Sequence, residues 1–344
     1  MNQMGVTTMR YRFTAILAVC LLWLGACGDD TANPSNNAAA DRTVRASTSA
    51  DYDFTVETIT YAQGLSHSGD FSNGDGEPVD LVGDLYLPQG TDGTRPVLLI
   101  VHGGGFTGGT RTQPDLIEFA EYFASRGWVA LSVDYRLAGD FGTVPQVWYD
   151  MVEERETGIR VHLGKAMYPA VRDAKAAARW LQANADTYDI SPDHIAVMGG
   201  SAGAFIGVAM GVSNPADFRD ELTADEDPTL TSTHLDQTGQ VAAVLDFWGS
   251  ADAIDGVAEA FGGDSRWDAD DAPALIVHGN SDQIVSVEAG QTLRDQYEAS
   301  GAPYRYVELD GAGHAAWDRQ VDGQNLRELS EAFLWEHMDL TAAE

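Results

Sequence analysis

The sequence predicts an α/β fold built on a mostly parallel, eight-stranded sheet with helices on both faces. From Tyr52 onward, short runs rich in β-branched and aromatic residues alternate with stretches of helical periodicity. Residues 97–101 are all apolar, which indicates a central strand buried on both faces. In residues 171–181 the apolar positions recur every three to four residues, which predicts a helix with one core face. This alternation is typical of a parallel sheet covered by crossover helices.

The individual elements follow from the same patterns. The predicted strands are residues 54–61, 81–87, 96–102, 128–134, 194–199, 242–248, 273–278 and 304–309. The predicted helices are residues 114–126, 169–185, 202–212, 287–300 and 323–337. Together these elements define one folded domain over residues 54–340, a size at which a single large core is expected.

Two long connections interrupt the alternation. Loops of this length inside a compact domain are usually lids or binding loops. Residues 139–167 contain the apolar and aromatic residues Val147, Trp148, Tyr149 and Met151, and we predict that this insertion forms a cap over a substrate. Residues 213–240 form a second insertion, for which a binding loop and a disordered surface loop both remain open.

The composition restricts the partners of the protein. The chain has 344 residues, of which 53 are acidic and 20 are basic, and its formal net charge is −33. Such a surface repels phosphate backbones, so the sequence predicts no nucleic-acid partner. The oligomeric state stays open.

The N-terminus has the pattern of an export signal. Arg10 and Arg12 precede an apolar run at residues 13–25, which is too short to span a bilayer but suits a signal-peptide core. The run ends in Leu24-Gly25-Ala26-Cys27, which resembles a bacterial lipoprotein processing box. We therefore expect a signal peptide at residues 1–26 and a lipid on Cys27, with an ordinary secretory signal as the alternative.

The segment that follows Cys27 is predicted to be a flexible tether. Residues 27–53 are rich in small and polar residues and lack apolar periodicity. The expected location is outside the cytoplasm, anchored by lipid to a bacterial membrane on its periplasmic or cell-surface side.

The cysteine count excludes several chemistries. Cys20 and Cys27 are the only cysteines, so the predicted domain has no internal disulfide and no thiol nucleophile. Neither the histidines nor the acidic cluster at residues 70–80 has the spacing of a zinc or calcium site. The sequence thus predicts no metal and no other cofactor.

Gly199-Gly200-Ser201-Ala202-Gly203 lies between a predicted strand and a predicted helix. A tight strand-to-helix turn of this kind exposes a serine hydroxyl at the edge of the sheet and is known as a nucleophile elbow. The glycines allow two backbones to approach and allow an unusual conformation at the serine. We predict that Ser201 is a nucleophile.

Further segments contain the other groups that a serine nucleophile requires, namely donors to an oxyanion, a base and an acid. His102-Gly103-Gly104-Gly105-Phe106 follows a strand, and consecutive glycines can turn backbone N–H groups towards one point, where they and the N–H of Ala202 would hold an oxyanion. His314 and Asp282 follow the last two predicted strands and are the expected base and the acid that orients it. Asp252 is the rival acid.

Four motifs in this order make the resemblance specific. They are His102-Gly-Gly-Gly-Phe106, Asp134-Tyr-Arg-Leu-Ala138, Tyr168-Pro-Ala-Val-Arg-Asp173 and Gly199-Gly-Ser-Ala-Gly203. Residues 80–335 resemble the hormone-sensitive-lipase-type carboxylesterases and the related feruloyl and acetyl-xylan esterases of the α/β-hydrolase superfamily. The chain departs from the first group at Gly200, where an acidic residue is usual, and at Gly139, which opens the long insertion.

The resemblance implies serine-dependent hydrolysis of a small-molecule or polymer-borne carboxylic ester through an acyl-enzyme intermediate. It implies a triad of Ser201, Asp282 and His314, and it implies that Gly104, Gly105 and Ala202 donate to the oxyanion. We also expect Phe106, Trp148 and Tyr149 to contact the substrate, and Arg136 to pair with Asp173. An amidase such as an aryl-formamidase and an inactive tethered binding protein are the alternatives.

Overall fold

A computed structural model of the protein describes residues 43–71, 76–263 and 265–343. Residues Asp41–Glu344 form one compact unit. The predicted signal peptide and the lipidation site at Cys27 lie outside the described residues.

Eight strands form the central sheet. They are β2 (Phe54–Ser66), β3 (Glu77–Pro88), β4 (Arg95–Val101), β5 (Val129–Val133), β6 (Ile190–Gly200), β7 (Ala243–Phe247), β8 (Ala274–Gly279) and β9 (Tyr304–Leu309). Their spatial order is β2-β3-β5-β4-β6-β7-β8-β9. The pairs β2–β3 and β3–β5 are antiparallel, and all other neighbours in this sheet are parallel. The predicted mostly parallel, eight-stranded sheet is confirmed. Four two-residue strands lie outside it, namely β1 (Arg45–Ala46), β10 (Gln320–Val321), β11 (Gln324–Asn325) and β12 (Thr341–Ala342).

Helices flank the sheet. They are α1 (Pro114–Ala124), α2 (Gln146–Arg155), α3 (Ile159–Ala183), α4 (Ala202–Val212), α5 (Asp252–Phe261), α6 (Val287–Ser300) and α7 (Leu326–His337). The bounds of α4, α6 and β9 agree with the sequence-based prediction, whereas α2 and α5 were not predicted.

The core has two layers, one on each face of the sheet. Every residue of β4 is buried, as its apolar sequence predicts. Successive side chains of a strand point to opposite faces. Accordingly, Val97, Leu99 and Val101 belong to one apolar cluster and Leu98 and Ile100 to the other. Burial on both faces fixes the carboxyl ends of the parallel strands, where the candidate site lies.

The prediction of a flexible tether through residue 53 is wrong from the first described residues onward. β1 pairs in parallel with β12, and Val44 and Ala46 are buried. The reason is that these two apolar side chains are covered by the domain, and the main chain gains hydrogen bonds to it, as from Ser47 N–H to the carbonyl of Arg126 (2.8 Å). Because β12 pairs with β1, the folded domain also extends beyond the predicted end at residue 340.

Residues 139–167 are mostly helical. They hold α2 and the first turns of α3, which begins after Gly158 (φ +63°) and runs through Pro169 to Ala183. The predicted start of a helix at Pro169 is therefore wrong. Proline is most common in the first turn of a helix, where its missing N–H costs nothing, but here it lies in the interior. There its ring packs on Gly142, whose hypothetical Cβ would lie 2.7 Å from the proline Cβ.

The second insertion, residues 213–240, packs on α3 through buried polar contacts. The ammonium group of Lys175 donates to Ser213 Oγ (3.0 Å) and to the carbonyls of Asn214 and Asp217 (both 2.9 Å). Burial lowers the pKa of Lys175 to about 7. These contacts favour an ordered segment over the disordered loop that the sequence left open.

One buried acid in β7 predicts how stability depends on pH. The carboxyl group of Asp246 is fully buried, and neither oxygen makes a hydrogen bond of normal geometry within the described chain. Burial raises the pKa of Asp246 to about 7. Because the unfolded chain ionises at lower pH than the folded one, the contribution of Asp246 to stability is lost as pH rises from about 4 to about 7.

We expect Asp246→Asn to remove this loss. The free energy of unfolding of the variant should rise relative to that of the wild type by a few kcal/mol between pH 4 and pH 8, at about 1.4 kcal/mol per pKa unit. Urea unfolding at several pH values measures it. Asp92→Asn, at an exposed site, is the control. Equal pH dependence in wild type and Asp246→Asn would contradict the interpretation.

Candidate active site

Ser201 is the single residue between β6 and α4, in the turn that joins them. Its backbone is left-handed (φ +55°, ψ −125°), and its N–H donates to the carbonyl of Phe247 (2.9 Å). A Cβ on Gly199 would lie 2.2 Å from the carbonyl carbon of Gly203, and a Cβ on Gly203 would lie 2.1 Å from the carbonyl oxygen of Val101. Only glycine fits these two approaches. The turn therefore holds the serine in a strained conformation, as expected for a nucleophile elbow.

His314 and Asp282 form a hydrogen-bonded pair. Nδ1 of His314 lies 2.7 Å from Oδ2 of Asp282, on the loops that follow β9 and β8. The other oxygen of Asp282 accepts from the N–H groups of Ile284 (2.8 Å) and Val285 (3.1 Å). Because the carboxylate accepts a hydrogen bond from Nδ1–H, Nε2 of His314 keeps a lone pair that can accept a proton from a nucleophile.

The rival acid Asp252 is not paired with this histidine. It lies at the start of α5, is exposed, and lines the cavity described below. No hydrogen bond between Asp252 and His314 exists in the described structure, so the geometry favours Asp282.

Two other histidines near the site are buried and structural. His102 bonds through Nδ1 to the carbonyl of Gly103 (2.7 Å) and stacks on Tyr135 with ring centroids 4.2 Å apart. His278 bonds through Nε2 to the carbonyl of Val285 (2.9 Å). Burial lowers the pKa of both His102 and His278, so both favour the neutral form. These contacts give His102 and His278 structural roles beside the site.

The glycine loop after β4 lies against the elbow. A Cβ on Gly103 would lie 3.4 Å from Cβ of Ser201. Gly104 and Gly105 have positive φ (+119° and +61°), which turns successive peptide planes. Within the described chain, the N–H groups of Gly104, Gly105 and Ala202 have no hydrogen-bond acceptor. Three such donors are available for a negative oxygen.

A cavity of about 490 Å³ opens at Ser201. Its walls are mainly apolar and include Gly105, Phe106, Trp148, Met151, Val152, Leu163, Met167, Ala202, Phe205 and Val285. Charged side chains also line it, namely Arg155, Glu156, Arg160 and Asp252. Helices α2 and α3 thus contribute to the same cavity as the elbow.

The expectation for Tyr149 is wrong. Its hydroxyl donates to Asp70 (2.9 Å), its ring lies under Nζ of Lys165 (3.3 Å to the centroid), and it does not line the cavity. Successive residues of a helix point about 100° apart, so Trp148 and Tyr149 cannot share one face of α2. Trp148 and Phe106 do line the cavity.

Sequence patterns could have identified one more wall residue. Phe205 lies four positions after Ser201 on α4, and residues four apart share one face of a helix. Met167 and Val152 could not have been assigned in this way, because the helices that carry them were not predicted at those positions.

The described residues contain no helix that is long and apolar enough to cross a membrane. They also contain no group of three or more histidine, cysteine, aspartate or glutamate residues placed to hold a metal ion.

A family model described as BD-FAE matches residues 83–153 and 160–265. The chain is 27% identical over 237 residues to "Esterase LipC" of Mycobacterium tuberculosis, covering 64% of this chain and 52% of that protein. It is 25% identical over 274 residues to "Probable carboxylic ester hydrolase LipM" of the same organism, covering 73% and 56%. The chain therefore spans about half the length of these curated relatives.

Solved structures share the fold. Esterase 2 of Thermogutta terrifontis with bound butyrate aligns with a TM-score of 0.57 at 23% identity, covering 83% of this chain and 95% of that chain. The same enzyme phosphorylated by paraoxon aligns with the same score, identity and coverage. The predicted α/β-hydrolase fold is thereby confirmed.

Proposed function

Because the chain belongs to the BD-FAE family, we propose that it hydrolyses carboxylic esters, with Ser201 as the nucleophile. One observation carries the proposal. Ser201 stands at a strained elbow and shares a cavity with Gly105 and Ala202, whose N–H groups have no acceptor in the described chain. An apolar cavity with a few convergent polar groups is the usual form of an active site.

The chemistry follows from the roles of these groups. Nε2 of His314 takes the proton of Ser201 as Oγ bonds to the ester carbonyl carbon, and the carbonyl oxygen becomes an oxyanion that the three N–H groups stabilise. The tetrahedral intermediate collapses, its C–O bond to the alcohol breaks, and the imidazolium gives its proton to the leaving alcohol. Water then attacks the acyl-enzyme in the same way, which releases the acid and restores Ser201.

The cavity limits the substrate. Trp148 and Phe106 are almost fully buried, and the indole N–H of Trp148 is already bonded to the carbonyl of Gly164 (3.0 Å), so this part of the wall offers only apolar surface. We infer that an apolar acyl or aryl group enters the cavity, from a small-molecule or polymer-borne ester. Acetyl and feruloyl esters are both candidates for this substrate.

A panel of substrates tests the reaction class. We expect p-nitrophenyl acetate, p-nitrophenyl butyrate and methyl ferulate to be cleaved faster than an N-formyl arylamine, because an amide resists attack more than an ester of similar size. The measurement is kcat/KM for each compound, with Ser201→Ala subtracted as the background. A higher kcat/KM for the formamide would identify an aryl-formamidase. Absence of turnover and of labelling by a fluorophosphonate would identify a binding protein.

We also propose export and lipid anchoring through Cys27. The support is the apolar run followed by Leu24-Gly25-Ala26-Cys27. When the full chain is expressed in a bacterium, we expect it to incorporate labelled palmitate and to enter the detergent phase of a Triton X-114 separation. Cys27→Ser should lose both properties, whereas Cys20→Ser should keep them. Retention of the label by Cys27→Ser would exclude this anchor.

A further inference from the structure

The residue before the candidate nucleophile has no side chain, and two indole rings occupy the space that one would take. A Cβ on Gly200 would lie 2.6 Å from Cζ2 of Trp317 and 3.1 Å from Nε1 of Trp248. Gly200 is not among the residues with positive φ, so its backbone conformation would accept other residues. Glycine is required here by the aromatic contact.

Trp317 belongs to the loop that carries His314, three residues further along the chain. Its ring lies 4.6 Å from that of Trp248, 5.1 Å from Phe247 and 5.7 Å from Phe119, measured between centroids. Trp248 in turn lies edge-on to the imidazole of His314, at 6.1 Å. The indole of Trp317 therefore connects the histidine loop to the backbone of the elbow.

The histidine loop is held on both sides of His314. Before it, the carbonyl of Ala312 accepts from the N–H of Ser281, next to the catalytic acid (2.9 Å). After it, Ala315 adopts a left-handed backbone (φ +57°), a conformation that persists only where the surroundings impose it. The contact of Trp317 with Gly200 is the anchor on this second side.

We infer that Trp317 is a positioning residue for the reaction. By filling the space beside Gly200, it sets the distance between the loop of His314 and the elbow of Ser201, and so aligns Nε2 with the serine hydroxyl. This inference rests on the proposed serine mechanism. A displacement of about 1 Å between reacting groups can cost about 100-fold in rate, so the anchor should affect kcat more than KM.

Single substitutions test the anchor. Trp317→Ala should lower kcat for p-nitrophenyl butyrate by about 10- to 100-fold with little change in KM, and it should slow labelling by a fluorophosphonate in proportion. Trp317→Phe, which keeps an aromatic ring, should lose less and guards against a variant that does not fold. Trp180→Phe is the matched control, because Trp180 packs on Tyr188 in another part of the protein and is expected to keep wild-type kcat.

A steric rescue separates positioning from general stability. Gly200→Ala should clash with the indole and lower kcat, whereas Gly200→Ala combined with Trp317→Phe makes room for the added methyl group. The double variant should therefore be faster than Gly200→Ala alone. A purely structural tryptophan would lower the unfolding temperature without producing this rescue.

Two results would overturn the inference. One is a kcat within about twofold of the wild type in both Trp317 variants. The other is a double variant no faster than Gly200→Ala. If Ser201→Ala is inactive, either result would exclude a positioning role for Trp317 and leave the proposed function intact. An active Ser201→Ala would instead exclude the proposed function itself.

Discussion

Ser201→Ala is expected to lower kcat/KM for p-nitrophenyl butyrate by about 10³-fold or more, which corresponds to about 4 kcal/mol of transition-state stabilisation. Without Oγ no acyl-enzyme can form, and only the oxyanion donors and binding remain to assist direct attack by water. Steady-state kinetics and the size of the p-nitrophenol burst measure the effect.

The control for this variant is Ser281→Ala, which removes the hydroxyl of an exposed serine next to the acid Asp282. Ser281 should be dispensable, because its link to the histidine loop is made by its backbone N–H. Wild-type turnover in Ser201→Ala would contradict the assignment of the nucleophile.

Asp282→Asn is expected to lower kcat by about 10²- to 10⁴-fold while leaving the fold intact. One carboxylate oxygen accepts a hydrogen bond from Nδ1–H of His314 (2.7 Å between the heavy atoms), and the other accepts from two backbone N–H groups. An amide at this position can present its NH₂ group to Nδ1, which moves the imidazole proton to Nε2 and removes the base. Rates measured from pH 6 to pH 10 should show the loss throughout this range.

Asp252→Asn is the matched control for this experiment. Asp252 also borders the cavity but is not bonded to His314. We expect its substitution to alter KM more than kcat. A large loss of kcat in Asp252→Asn combined with a mild one in Asp282→Asn would reverse the assignment of the acid.

The sequence predicted the turn at Ser201 because that turn depends on local constraints. Gly199 and Gly203 are required by contacts under 2.5 Å to a hypothetical Cβ, and such constraints leave a motif in the sequence.

The expected pairing of Arg136 with Asp173 is confirmed, with Nη2 to Oδ1 at 2.6 Å and Nε to Oδ2 at 2.9 Å.

The helices that surround the cavity were harder to predict because they depend on tertiary contacts. α5 contains Gly256, which has low helix propensity, and its buried residues Ala253, Ile254 and Val257 span little more than one turn. A Cβ on Gly256 would lie 2.7 Å from the ring of Trp148, so the glycine is required by packing with another helix. Periodicity within one segment cannot reveal such a requirement, and for the same reason the orientation of Tyr149 was mistaken.

Sequence patterns could not predict the role of Gly200 either. Its departure from the acidic residue usual in hormone-sensitive-lipase-type enzymes was visible, but the cause was not. The cause lies more than 100 residues away in the chain, where Trp317 occupies the space. A sequence without coordinates does not connect the two positions.

The most direct test of the central claim is to locate the adduct of a fluorophosphonate on the intact protein by peptide mass spectrometry. We expect a single stoichiometric adduct on Ser201, with labelling abolished in Ser201→Ala and strongly slowed in Asp282→Asn. An unlabelled wild-type protein, or an adduct on any other residue, would contradict the proposal that Ser201 is the nucleophile of a hydrolase.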